Sequence, residues 1–136
     1  MTPSDDNKAI VTHAANLFGP AQLEEYLKLY AVDSQLHFLP PGLPQGRAGA
    51  RLFYQAIFAA FDDVRLTVRD LFGEGDRVAV RFGLEGIHRA EFLGVPPSGR
   101  RVIAEGLTIF RFEAGECVER WSQSNLIAAL QQPAAV

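Results

Sequence analysis

One cysteine, one tryptophan and one methionine are found among the 136 residues. A lone thiol, Cys117, excludes an internal disulfide and a thiolate metal cage. The three histidines, His13, His37 and His88, are dispersed without i, i+4 pairing or neighbouring acid patterns, so no zinc or iron site is expected. Gly-rich phosphate cradles, nucleophile elbows and Cys–His pairs are missing too, and no cofactor is expected. Net charge is −3 with both signs mixed along the chain. No Lys/Arg block supplies the phosphate-facing footprint of a nucleic-acid partner. The longest apolar run, Ala56 to Phe61, is far short of the ~18 residues of a membrane span. The opening Met-Thr-Pro-Ser-Asp-Asp is polar and acidic, unlike a signal peptide. Neither membrane nor export is expected, which makes the cytoplasm the default location.

What is present is ordinary globular material, 48% apolar and 21% charged, with no repeat and no low-complexity tract. A chain of this length forms one domain, residues 1–136, and buries roughly two-thirds of its unfolded surface. Ten phenylalanines against three tyrosines suit a dry core or a lipophilic cavity.

Ser4 reads as an N-cap, with Asp5 and Asp6 complementing the helix dipole. Ile10, Ala14, Leu17 and Phe18 recur at helical spacing until Gly19-Pro20. A second helix carries Leu23, Tyr26, Leu27 and Tyr30. A short strand follows at Gln35 to Leu39. Ala50, Phe53, Tyr54, Ile57, Phe58 and Phe61 mark a third helix, apolar on most of its circumference and so expected to be the most buried. From Asp62 the period falls from 3.6 to 2. Val64, Leu66 and Val68 form one apolar face, and Val78, Val80, Phe82 and Leu84 form the next beyond a Gly73–Asp76 turn. A long strand runs from about Arg101 to Phe112, and a last one from Cys117 to Ser124. A short helix around Leu126 to Leu130 closes the chain. Helices first and hairpin-linked strands afterwards define an α+β fold. A curved antiparallel sheet wraps as a cone around the N-terminal helices, and its mouth is a natural cavity for a lipophilic small molecule.

His88 continues the phase of Val78 to Leu84 and should face the covered side, where an imidazole can act as acid or base. Glu105 or His37 would be its partner. His37, alternating with Leu36 and Phe38, reads as a rim residue. On the long strand Glu105 shares a face with Ile103, Leu107 and Ile109, and Thr108 shares the other with Phe110 and Phe112. Alternation leaves open which face is inside. Trp121 fits either a ligand contact or a subunit interface.

The run Gly86-Ile87-His88-Arg89-Ala90-Glu91-Phe92-Leu93-Gly94-Val95-Pro96-Pro97-Ser98-Gly99 resembles the Gly-Thr-His-x-Gly-Glu-Phe-x-Gly-x-Pro-Pro-Thr-Gly motif of SnoaL-like proteins. Phe61-Asp62-Asp63-Val64 is similar to that family's Phe-Pro-Asp-Leu junction. Ile109-Phe110-Arg111-Phe112 with Gly115, Val118-Glu119 and Trp121 is similar to its closing hairpin. The resemblance spans about residues 8 to 132. It implies the nuclear-transport-factor-2-like cone, a homodimer packed through the sheets, and polyketide cyclisation by aldol chemistry without metal or cofactor. The family's proton-moving Asp falls at Ser122, its assisting His at Thr108, and a further acid at Asn125. A hydroxyl cannot stand in for a carboxylate as general base.

Three functions follow as expectations. The first is a cofactor-independent cyclase, isomerase or hydrolase, with His88, Glu105 and Ser122 catalytic and His37, Thr108, Phe110, Trp121 and Asn125 contacting the ligand. The others are a noncatalytic receptacle for a lipophilic metabolite and a dimeric scaffold.

Overall fold

The computed structural model describes residues 2–131; Met1 and residues 132–136 of the expected domain lie outside the described residues. Helix α1 spans Pro3–Asn16. Its N-cap is Thr2, two residues earlier than the expected Ser4. The Thr2 hydroxyl accepts from the Asp5 N–H at 3.2 Å, and the Asp5 carboxylate accepts from the Thr2 N–H at 3.2 Å. This reciprocal box outcompetes Ser4 as the helix start. A 3-10 turn at Pro20–Gln22 leads into the short helix α2, Leu23–Leu27.

Tyr30 is the first residue of strand β1, Tyr30–Leu36, and not the last turn of the second helix. The spacing of Leu23, Tyr26, Leu27 and Tyr30 fits a helix. Backbone pairing with the last strand wins at Tyr30, which lies opposite Cys117. Helix α3, Gly46–Ala60, buries Ala50, Tyr54, Ile57 and Ala60 on one face. Its opposite side is open, with Leu52 46% exposed, so apolar circumference does not equal burial here. At its start Gly49 lies so close to the Pro44 carbonyl that no Cβ fits.

Strands β2 (Phe61–Glu74), β3 (Arg77–His88), β4 (Arg101–Glu113) and β5 (Glu116–Ser124) form an antiparallel meander. The sheet order is β1-β5-β4-β3-β2. The sheet is curved and unclosed, and β1 joins its far edge parallel to β5, so the sheet is mixed at that edge. Register shifts in β2 at Asp62/Arg65 and Val68/Asp70 accompany the bend, the first at Asp63 with φ 50. Helix α4, Leu126–Gln131, packs on β4. No helix is long and apolar enough to cross a membrane among the described residues.

The strands show which face is inside. Along β4, Val102, Ala104, Thr108, Phe110 and Phe112 are buried, and Ile103, Leu107 and Ile109 between them are exposed. The inner face, with α1, α2 and α3 across it, holds the core.

Candidate functional site

A cavity of about 170 Å³ lies between the helices and the inner sheet face. Its walls are mostly apolar: Val11, Ala14 and Phe18 from α1, Phe53 and Ile57 from α3, Val80 and Phe82 from β3, and Phe110 from β4. Drug-sized ligands occupy clefts of about 300–1,000 Å³. This cavity is smaller than that range and suits a ring-sized group. Leu66 and Val68 of the edge strand and the exposed Ser124 stand where the cavity meets solvent.

One corner is polar, and its centre is Arg120 on β5, 7% exposed. The guanidinium Nη1 donates to the hydroxyls of Tyr30 and Tyr54, the latter at 2.8 Å. Nη2 donates to Thr108 Oγ1 at 3.2 Å. The rings of Phe38 and Phe110 lie 4.3 and 4.9 Å from the guanidinium carbon. Among the described residues no carboxylate pairs with this charge, and the buried Nε has no acceptor.

The hydroxyls are ordered by what each can still give. Thr108 Oγ1 accepts from Arg120 and shares a 2.8 Å hydrogen bond with Ser122 Oγ in which either hydroxyl can donate. Tyr26 donates to Tyr54 at 3.4 Å and is 3.1 Å from Tyr30, which leaves Tyr30 to donate to Tyr26. The Tyr54 oxygen accepts twice, and its own proton has no protein acceptor. Burial pushes the Tyr26 and Tyr30 phenols well above the ordinary tyrosine range, so both stay neutral donors. The corner therefore presents the Tyr54 hydroxyl proton and, among the described residues, a positive charge with no carboxylate partner. Among the described residues no histidine or carboxylate lines the cavity.

Of the residues singled out from the sequence, Thr108, Phe110 and Ser122 line the cavity together. His88 does face the covered side and is fully buried, yet it lies away from the cavity. Its ring stacks on Phe61 at 4.9 Å, and neither ring nitrogen has a partner. The strand continues past the cavity before reaching His88, so phase was right and position along the strand was not. Glu105 points outward beside Arg69 at 3.6 Å, on the face opposite His88, and cannot be its partner. His37 and Trp121 are also on the outer face, stacked on each other at 5.4 Å, with the His37 Nε2 2.7 Å from Glu119. A period of two puts Trp121 on the side opposite Ser122. Asn125 is exposed at the start of α4, where its Oδ1 accepts from the Glu105 N–H at 2.8 Å. Neither Trp121, His37 nor Asn125 lines the cavity.

Sequence reasoning missed Arg120 and the tyrosines. The signal for Arg120 was available: it is two residues before Ser122, so whatever turns Ser122 inward turns Arg120 inward as well. Cys117 is buried, and burial pushes its thiol up to about 11, which disfavours the nucleophilic thiolate. Among the described residues no three His, Cys, Asp or Glu side chains gather as a metal centre needs.

A curved, unclosed five-stranded sheet with N-terminal helices across its inner face defines a nuclear-transport-factor-2-like fold, and comparison supplies the family. Residues 8–133 match the SnoaL-like polyketide cyclases, and the chain belongs to that family. It is 34% identical to IdmH, a candidate polyketide cyclase from Streptomyces antibioticus, over 96% of this chain and 99% of that one, with a TM-score of 0.70. AclR, a candidate hydroxylase from Streptomyces galilaeus, is 26% identical over 96% and 99% of the two chains, with a TM-score of 0.79. A candidate SnoaL-like polyketide cyclase from Jannaschia sp. shares the fold at 24% identity, covering 98% and 96%, with a TM-score of 0.77. No curated protein matches the sequence.

Proposed function

We propose that the cavity binds a ring-sized, carbonyl-bearing lipophilic molecule and promotes ring closure or isomerisation in it by stabilising negative charge on the carbonyl oxygen. The observation that carries this is a corner of hydrogen-bond donors in an otherwise apolar cavity. Donors aimed where charge develops, in a site that excludes water, act far more strongly than in solution. Membership of a polyketide-cyclase family supports a carbonyl substrate. Ser122 at the family's Asp position, with no carboxylate in the cavity, argues against proton abstraction by the protein and leaves that step to water or hydroxide. A probe for enolate stabilisation is the exchange of α-hydrogens of 2-tetralone for deuterium, followed by NMR. Exchange faster than buffer, and slowed by Tyr54→Phe or Ser122→Ala, is the expected result. No acceleration overturns the catalytic reading.

The lack of a protein base also favours a second reading, a noncatalytic receptacle. Tight binding of 2-tetralone without accelerated exchange is its signature. We further propose a homodimer through the outer sheet face, where Ile103, Leu107 and Ile109 are 59%, 60% and 41% exposed beside Trp121.

A further inference from the structure

The inner sheet face is a ladder of cross-strand rows, each two residues and so about 7 Å further along the strands. Ser122, Thr108 and Val80 share one row, and Ser124, Gly106 and Phe82 the next. Ala104 faces Leu84 in the third row, and Val102 faces Gly86 in the fourth. The cavity runs from the polar corner along these rows as far as Leu84. A second hollow of about 10 Å³ continues the same line, lined by Phe61, Val64, Gly86 and Val102. Ile57, Leu84 and Leu126 line both hollows and therefore form the partition between them. Glu85 also borders the second hollow, but its carboxylate turns to Arg65 and Arg101 on the outer face. An apolar void of that size stays dry, and its walls forgo dispersion contacts.

Strand β4 keeps the floor of this trough low, because Gly106 and Ala104 succeed Thr108 along it. Residues of β3 therefore set its height. The Phe82 ring lies over Gly106, with Cζ 2.5 Å from where a Cβ would stand, and Gly86 leaves its own place open. Leu84 is the large side chain between them, half-buried and opposite an alanine. We propose that Leu84 sets the length of the ligand: a ring binds with its carbonyl at the polar corner and an apolar alkyl tail directed along β3 to Leu84. This rests on the reading of the cavity as a site for a carbonyl-bearing small molecule, and adds its orientation and the residue that limits its size. Among the described residues, none from Leu84 onward brings a polar side chain into the trough, so a hydroxylated or charged tail would lose its hydration there unrewarded.

The probes are 4-alkylcyclohexanones with straight tails from methyl to pentyl, whose tail leaves the ring opposite the carbonyl, titrated calorimetrically. Each methylene that meets apolar walls should tighten binding about fourfold. In the wild type that gain should end by propyl, where the tail reaches Leu84. Leu84→Ala joins the two hollows and should carry the gain about two carbons further. Leu84→Phe should end it at methyl, and decides the matter should the alanine variant not fold. Ser122→Ala acts at the other end of the ligand and should weaken every member of the series by one common factor, leaving the end-point in place. Leu36 is buried and lines neither hollow, so Leu36→Val should lower the thermal midpoint without moving the end-point, which separates a length limit from general loosening. An end-point unmoved by either Leu84 substitution, or moved by Ser122→Ala, overturns the proposal and leaves the cavity reading standing. Binding of the whole series without any dependence on tail length overturns it too, since the tail then lies in solvent. If no member binds, the cavity reading itself fails and takes the proposal with it.

Discussion

Arg120 and His88 are both buried polar residues on the inner sheet face, and their surroundings separate a site residue from a packing residue. Arg120 has hydroxyl partners and a void beside it. His88 has neither: it is stacked on Phe61, and Phe61 in turn meets Phe92 at 5.5 Å. Replacing a buried polar group without partners by an apolar ring of similar shape is close to neutral, and truncating it opens a hole. His88→Phe should therefore keep the denaturant midpoint near wild type, and His88→Ala should lose about 3 kcal/mol in urea unfolding. A His88→Phe variant that fails to fold would reveal a partner for the imidazole. The residues that marked the family in the sequence, His88 and Phe92, turn out to be buried against Phe61, away from the cavity. Apart from Thr108, Phe110 and Ser122, the cavity is lined by residues that no motif announces. Alternation made the inward direction of Ser122 and Thr108 legible. It could not show that Tyr26 and Tyr54, read as apolar positions of helices, bring their hydroxyls to the same corner, because that meeting joins α2, α3 and β5.

At the scale of elements the two-residue rhythm after Phe61 was legible because one face of each strand is buried and a one-residue slip would expose it. The exception is β1. Its start was hidden because Leu23, Tyr26, Leu27 and Tyr30 keep helical spacing, while the pairing that ends the helix comes from β5, nearly ninety positions along the chain, where Tyr30 meets Cys117. The parallel edge was equally invisible, since no local pattern distinguishes a strand's neighbour. The hairpin between β4 and β5 turns on Ala114 and Gly115, with φ of 50 and 81. Two positive φ values in a two-residue turn suit Asn-Gly far better than Ala-Gly. Ala114→Asn should raise stability by about 0.5 kcal/mol or more, read as a higher melting temperature. A lower melting temperature would mean that the Ala114 methyl makes a contact worth more than the strain. Across the sheet, Gly106 leaves its inner side to the Phe82 ring, whose Cζ is 2.5 Å from where a Cβ would stand. The ring can thus lie against the sheet and leave the cavity hollow.

For the whole molecule, the two faces of one sheet divide two roles. The inner face curves around the cavity, and the outer face carries Ile103, Leu107, Ile109 and Trp121 in one cross-strand patch, Ile109 directly opposite Trp121. Leu107→Glu puts a charge at its centre and should shift the protein to monomer in sedimentation at micromolar concentration. A wild-type monomer under the same conditions would remove the proposed dimer. The division also explains why three of the residues expected in the site are elsewhere: Glu105, His37 and Trp121 belong to the outer face, and only the curvature of the folded sheet tells the faces apart. The polar corner is the feature on which the functional reading depends, and a crystal structure with 2-tetralone bound interrogates it atom by atom. The expected structure has the ketone oxygen within about 3 Å of the Tyr54 or Ser122 hydroxyl, with the ring against Phe110 and Val80. A ketone found outside the cavity, or inside it with its oxygen turned away from that corner, would contradict it.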